Sequence, residues 1–385
     1  MTRAATTSKG HQAAAELPRI AVVIPAYRAS QHITAVIAGI PSFVQAIVIV
    51  DDACPERSGD VAAATNDPRL SIVRHEHNRG VGGAMVSGYG RAFGDGADVA
   101  VKMDADDQMD PQHLAALLEP VLAGKADYSK ANRFLHLVEL NQMPLRRRIG
   151  NVGLSFFSKL ASGYWHVFDP TNGFTALHRI AFERLQKPML ARGYYFESSM
   201  LVELGIANAV VRDVALPARY GLESSNLSIA RTLLAFPFSL TRSFLRRVWI
   251  QHFVRDFGLC ATFGMLAFVL LTFGVSFGIY NWIYFTRVEP GGAPLGTIML
   301  SVLSIILGVQ AALQALTMDV SSGPTTALQE IDHRLQAMAM RLERHEPDVI
   351  ISRPDAVARS NGHRAETGNA SGRPATGAAV RENKH

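Results

Sequence analysis

The chain has 385 residues, enough for one large domain or two ordinary ones. Apolar residues make up 48% and charged ones only 18%, below the roughly 25% charge usual for soluble domains. Two cysteines, Cys54 and Cys260, exclude a disulfide framework and a CxxC zinc ribbon, while the net charge of +5 leaves nucleic acid, a membrane surface or a phosphorylated substrate as anionic partners.

Residues 1–18 are rich in Ala, Thr and Ser and hold no apolar stretch of signal-peptide length, so they read as a disordered tail. An α/β pattern starts near Arg19. Ile20 to Pro25 is a β-branched run expected as the first strand. Gln31 to Ile40 has helical spacing, and Ala46 to Val50 is a second buried strand closed by Asp51 and Asp52. Leu70 to Arg74 is a third strand, Gly82 to Gly94 a helix rich in small residues, and Val99 to Met103 a fourth strand running into Asp104. This alternation predicts a mainly parallel sheet with helices on both faces. Ligands of such sheets bind beyond the carboxyl ends of the strands, where Asp51, Asp52, Asp104 and Asp106 fall.

Asp104, Asp106 and Asp107 crowd into one turn. Carboxylates this close repel one another unless a cation lies between them. Mg²⁺ commonly joins one or two carboxylates to substrate phosphates, so the D-x-D reads as a metal–diphosphate clamp, with a plain acidic turn as the alternative. The stretch Asn78 to Gly83 lacks the spacing of a P-loop or a dinucleotide fingerprint; its glycines suit close backbone approach at a helix start. His75, His77 and His166 lack metal spacing and are expected in structural or solvent-facing roles.

Ile229 to Arg255 interleaves aromatic and aliphatic residues with arginines, the composition of helices in a headgroup layer, or of an amphipathic helix packed on its domain. Two uncharged runs follow, Phe257 to Thr286 and Pro290 to Met318, each long enough to span a bilayer. Tyr280, Trp282 and Tyr284 form an interfacial belt. Arg242, Arg246, Arg247 and Arg255 precede the spans and Arg334, Arg341 and Arg344 follow them, against Arg287 and Glu289 between. The positive-inside rule then predicts both termini in the cytoplasm. Cations clustered beside the spans favour phospholipid over nucleic acid. Leu328, Ile331, Leu335, Met338 and Leu342 repeat at heptad spacing, as an oligomer contact or as a helix docking on its own domain, and the chain from Glu346 onward reads as disordered.

Pro25-Ala-Tyr, Val50-Asp-Asp, Asn78-Arg-Gly, Asp104-Ala-Asp-Asp-Gln and Asp169-Pro-Thr-Asn-Gly-Phe, taken in order, resemble the family 2 glycosyltransferases of GT-A fold. The two spans narrow the resemblance to the polyprenol-phosphate type, similar to dolichol-phosphate mannose synthases, over about residues 19–320. It implies a nucleotide pocket lined by Pro25, Ala26 and Tyr27, with Asp52 on the base or ribose. Asp104 and Asp106 would hold the donor diphosphate through Mg²⁺ or Mn²⁺, and Gln108 would help place the ligand. Arg133 is implied to face the phosphates. Arg147 or Arg148, with Asn151, Arg219 and Ser225, is implied on the acceptor phosphate. Asn226 departs from the lysine that often follows the loop serine. Asp169 is implied to touch the sugar or acceptor, with a structural cap as the alternative. Asp106, Asp169 and Arg133 are the implied catalytic set.

The implied reaction moves a sugar from a UDP- or GDP-linked donor, with inversion, to a polyprenyl phosphate such as undecaprenyl phosphate, for cell-envelope glycan assembly at a bacterial inner membrane. A phosphate oxygen is already anionic at neutral pH, so no strong base or Ser/His/Asp set is required. The competing readings are a processive polysaccharide synthase, whose Q-x-x-R-W motif is missing, and a catalytically silent scaffold presenting the heptad helix, which would also allow a homo-oligomer. The expected organisation is a tail to residue 18, a GT-A catalytic domain over 19–228, juxtamembrane helices over 229–256 and a transmembrane hairpin over 257–318. A cytoplasmic helix over 319–345 and a tail over 346–385 complete it.

Overall fold

A computed structural model describes residues 17–132, 145–217, 229–288 and 291–343. The expected terminal tails lie almost wholly outside these residues. Residues up to Gln336 form one compact unit, and those from Ala337 a second.

The sheet has seven strands: β1 (Ile20–Ala26), β2 (Ala46–Asp51), β3 (Leu70–Arg74), β4 (Val99–Lys102), β5 (Tyr128–Asn132), β6 (Thr175–His178) and β7 (Val211–Ala215). Their order is β3-β2-β1-β4-β6-β5-β7. All neighbours pair in parallel except at β6, which runs antiparallel to β4 and β5. The four expected strands stand within a residue of their predicted ends. β1 is a run of β-branched residues buried on both faces, as a central parallel strand requires. Ile20, Val22 and Ile24 pack into one core layer, and Ala21 and Val23 into the other.

The helices of the α/β domain are α1 (Ile33–Gly39), α2 (Ser58–Ala63), α3 (Gly80–Gly94), α4 (Leu114–Leu122), α5 (Leu145–Ser162), α6 (Arg179–Arg184) and α7 (Phe196–Ile206). Small residues let α3 lie close on the sheet: a Cβ at Gly88 would sit 2.9 Å from Val50 Cγ2 and closer still to Val23. His178 caps α6, its Nδ1 accepting the Ile180 N–H at 3.2 Å, which requires an unprotonated nitrogen. Burial, then repulsion from Arg179 and His333, lowers its pKa from 6.5 to about 4 against the pull of Asp98 and Asp332. The unfolded chain therefore binds the extra proton between those values, and the stability this group contributes is complete above pH 6.5 and lost as pH falls toward 4. The melting temperature is expected to drop over that interval, and His178→Asn, which keeps a capping oxygen, to flatten the drop. Identical pH slopes for the two proteins would contradict this role.

Helix α8 (Ile229–Val248) continues as a π-helical turn, Trp249–Arg255. Phe238, Leu245 and Trp249 are exposed on this segment, as are Val152, Phe156 and Phe157 on α5, so the two elements present large apolar side chains to the outside. Two helices follow, α9 (Leu259–Arg287) and α10 (Leu295–Ser321), whose most apolar 18-residue windows have mean hydropathies of 2.1 and 2.0. Each is roughly 40 Å long, beyond the roughly 30 Å of a hydrocarbon core. Only 17% and 22% of their most apolar windows are buried, which separates them from the core helices of a soluble protein. They pack on each other through small residues: Gly308 admits Leu271, Gly274 admits Ile305, and Ser301 Oγ donates to Gly274 O at 2.9 Å.

A buried ion cluster joins α10 to the rest of this unit. Arg247, 1% exposed, pairs bidentately with Asp319 at 2.8 Å on each arm and donates at 3.0 Å to both Ala161 O and Leu160 O at the end of α5. His252 Nε2 lies 2.7 Å from the same carboxylate. The heptad helix, α11 (Leu328–Glu343), starts on the α/β domain. Asp127 accepts the Leu328 and Gln329 N–H groups at 3.0 and 3.2 Å, and Gln329 Nε2 donates to Val121 O and Ala126 O. Of the two readings of that helix, docking on its own domain holds for its first turn.

Candidate active site

The carboxyl end of β4 leads into the Asp104–Asp107 turn, where Asp107 has a φ of 60°. The Gln108 N–H donates to Asp106 Oδ1 at 3.1 Å, and the Asp104 N–H donates to Met109 Sδ at 3.2 Å. Asp110 accepts the Gln112 N–H and starts the short helical turn Pro111–His113. This doubly braced loop forms one wall of a cleft of about 160 Å³. Asp104, Asp106, Gln108 and Asp110 line it on one side, Thr171, Asn172 and Gly173 on the other.

Beneath the cleft runs a row of polar residues, buried except for the half-buried Asp213. Lys102 of β4 lies opposite Thr175 of β6, Thr175 opposite Lys130 of β5, and Lys130 opposite Asp213 of β7. Lys102, 2% exposed, donates to Asp104 Oδ1 at 2.7 Å and pairs with Glu197 Oε1 of α7 at 3.1 Å. Burial disfavours the charge on this ammonium. The carboxylates of Asp104 and Glu197 outweigh burial and raise its pKa, so the lysine stays charged and its hydrogen bond orients Asp104. Lys130 Nζ donates to Asn172 O, which fixes the opposite wall. Asp213 accepts the Phe168 N–H at 3.0 Å and Asn132 Nδ2 at 2.6 Å, and burial pushes its pKa up.

Gly173 lies where nothing larger fits. A Cβ there would meet Lys102 Nζ and sit 2.8 Å from Asp104 Oδ2. Gly173→Ala is expected to displace the Lys102–Asp104 pair and cost about 10²-fold in kcat/KM while leaving the fold intact. Wild-type kinetics in that variant would show that the pair's position does not matter.

The sequence-derived set divides in the structure. Asp104, Asp106 and Gln108 share the cleft. Pro25, Ala26, Tyr27 and Asp52 are not on its wall; they stand at the ends of β1, which neighbours β4, and of β2, one strand further out. Tyr27 is exposed, with the Arg28 guanidinium 5.5 Å from its ring centre. Asp52, 3% exposed, accepts the Arg79 N–H at 2.8 Å and lies 2.7 Å from His75 Nδ1, bracing the end of β2 against the start of α3. His75 and His166 hold structural positions, the latter 2.8 Å from Val211 O. Asp169, 1% exposed, organises the turn ahead of the wall: its carbonyl accepts the Asn172 N–H and its Oδ1 the Thr171 hydroxyl. Arg147, Arg148 and Asn151 fall on α5, directly after the segment that follows β5. Arg133, Arg219 and Ser225 lie outside the described residues.

Lys102, Lys130 and Glu197 are components that sequence reasoning missed. The signal was present in the first two, as lysines inside strands with both faces covered, where a charge persists only if paired.

The residues present fit a hard divalent cation. Among the described residues no group of three or more His, Cys, Asp or Glu converges on one position. Two carboxylates beside an open cleft, completed by phosphate and water, are nonetheless a donor set that Mg²⁺ accepts.

Comparison with known proteins agrees with this architecture. The profile of glycosyl transferase family 2 matches residues 21–186. The UDP-N-acetylglucosamine–dolichyl-phosphate N-acetylglucosaminyltransferase of Methanococcus voltae is 30% identical over 198 residues, covering 48% of this chain and 78% of that protein. The polyprenol monophosphomannose synthase of Mycolicibacterium smegmatis is 28% identical, covering 46% and 69%. The undecaprenyl-phosphate mannosyltransferase of Micrococcus luteus is 27% identical, covering 47% and 76%. Each alignment spans about half of this chain and most of the relative. Shared identity on that scale, across a sheet of this topology, makes the chain a member of glycosyl transferase family 2, a glycosyltransferase built on the GT-A fold.

Proposed function

We propose that the chain is a membrane-bound inverting transferase that moves a sugar from a UDP- or GDP-linked donor to a polyprenyl phosphate such as undecaprenyl phosphate. The observation that carries this reading is the union, in one chain, of an acidic cleft at the strand ends and two lipid-length helices joined to it by an arginine- and aromatic-rich segment. Three relatives named for polyprenyl or dolichyl phosphate acceptors support it.

Asp104 and Asp106 would hold the donor diphosphate through Mg²⁺ or Mn²⁺, and Gln108 would position it. The bound cation would neutralise charge that builds on the departing nucleoside diphosphate. Lys102 keeps Asp104 in place for that task. We assign Pro25, Ala26, Tyr27 and Asp52 to the nucleoside, Arg133 to the phosphates, and Asp169 to the sugar side. The acceptor phosphate falls to Arg147 or Arg148 with Asn151, Arg219 and Ser225. The acceptor oxygen attacks already ionised, and its lipid stays in the leaflet while the spans hold the site beside it, which raises the effective concentration. In this reading residues 19–228 are catalytic, 229–256 lie in the headgroup layer, 257–318 form the hairpin, and both termini face the cytoplasm of a bacterial inner membrane. Homo-oligomerisation would run through the exposed part of the heptad helix.

The test is transfer of label from a panel of nucleotide sugars to undecaprenyl phosphate in detergent, with Mg²⁺ or Mn²⁺. One donor giving a chloroform-soluble labelled product supports the reading. Label that stays in water with every donor, from folded protein, removes the lipid acceptor from it.

A further inference from the structure

A second basin lies at the opposite end of the sheet from the acidic cleft. It measures about 540 Å³ and is lined by Arg184, Asn208, Arg255, Ser322, Thr325 and Thr326 among others. Arg184 ends α6, which follows the antiparallel strand β6, and Asn208 follows α7 and precedes β7. Both positions are therefore at the amino ends of the parallel strands, away from Asp104 and Asp106.

The remaining residues tie the basin to the membrane segments. Arg255 closes the π-helical turn just before α9, and Ser322 directly follows α10. The basin therefore lies where α9 begins and α10 ends. With α9 and α10 spanning the bilayer as in the proposed function, on which this inference rests, the basin falls at headgroup level.

Its chemistry is one-sided. Two guanidiniums, an amide and three hydroxyls line it, and no carboxylate does. Among the described residues, neither Arg184 nor Arg255 makes an ion pair within 4 Å, although the Arg184 charge acts on the nearby Asp127. The nearby buried carboxylate, Asp127, is spent on the Val210, Leu328 and Gln329 N–H groups. The start of α11 is not the attractor, since those first amides are already taken. Two unpaired arginines facing one cavity suit bidentate recognition of a phosphate ester.

We propose that this basin binds the phosphate of an anionic phospholipid headgroup, separately from the transferase site. A lipid bound there would pin the ends of both spans to α6 and α7. The shared chemistry, an anionic phosphate ester on glycerol, is also offered by soluble phosphates; the position of the basin at the ends of both long apolar helices selects the lipid.

The full-length protein in dodecylmaltoside tests this by thermal melting, without recourse to catalysis. Short-chain phosphatidylglycerol is expected to raise the melting temperature, and short-chain phosphatidylcholine not to. Arg184→Gln with Arg255→Gln is expected to weaken phosphatidylglycerol binding about tenfold or more. Both side chains are exposed and unpaired, so the ligand-free melting temperature should hold. If the Gln pair fails to fold, the single variant Arg255→Gln decides: a weakened preference for phosphatidylglycerol supports the site, and a wild-type preference overturns it. Equal shifts from both lipids, or wild-type binding by the folded Gln pair, also overturn it. Glycerol 3-phosphate binding as tightly as phosphatidylglycerol would overturn the lipid as occupant and leave a soluble phosphate ester in its place.

Discussion

Asp106→Ala is expected to lower sugar transfer by about 10³-fold or more while leaving the melting temperature close to wild type. Asp106 lines the cleft from a loop that is braced independently at Asp110 and Met109, so the turn survives its loss. What disappears is a negative oxygen at the place where a donor diphosphate must be countered by a cation. Asp110→Asn is the informative companion. Asp110 lines the same cleft, but its Oδ1 caps the Pro111–His113 turn, and Asn keeps that acceptor. Activity in Asp110→Asn should stay within about tenfold of wild type, since an oxygen acceptor remains where the cap needs one. Equal losses in the two variants would mean that total acidity, rather than the D-x-D position, sets the rate.

The second large effect is structural and catalytic at once. Lys102→Met leaves Asp104 and Glu197 facing each other without a cation, and removing one partner of a buried pair costs about 3–5 kcal/mol. The melting temperature is expected to fall by about 10 °C or more. Activity should fall further than instability explains, because Asp104 loses the group that orients it. Adding Glu197→Leu to Lys102→Met removes the stranded buried carboxylate and should recover much of the stability but not the activity. A Lys102→Met protein that melts and turns over like wild type would show that the buried ammonium is not part of the site.

Much of this was legible in the sequence, and the reason is local. β1, β2 and β4 are short β-branched runs ending in acids, which is how parallel strands with covered faces read. The spans declare themselves through length and lack of charge. β5, β6 and β7 were not legible. Tyr-Ser-Lys-Ala-Asn and Val-Arg-Asp-Val-Ala are polar because these strands carry the row of Lys130, Asn132 and Asp213, so chemistry displaced the apolar signal. The antiparallel direction of β6 depends on what lies between β5 and β6, not on its own four residues. Lys102 was passed over as a strand residue, although its neighbours Val101 and Met103 are fully buried. Arg247 was read as a headgroup cation by its composition, whereas it is among the most buried side chains and belongs to the Asp319 pair. Distance along the chain, 72 residues in that case, hides such partners from any reading by spacing.

The central claim is that the acceptor is a lipid monophosphate that takes one sugar, and the mass of the lipid product tests it most directly. Undecaprenyl phosphate incubated with the active donor and the full-length protein should gain a single sugar residue and keep one phosphate. A product with two phosphates, or a ladder of sugar additions, would contradict the account and point to phosphosugar transfer or to a processive synthase.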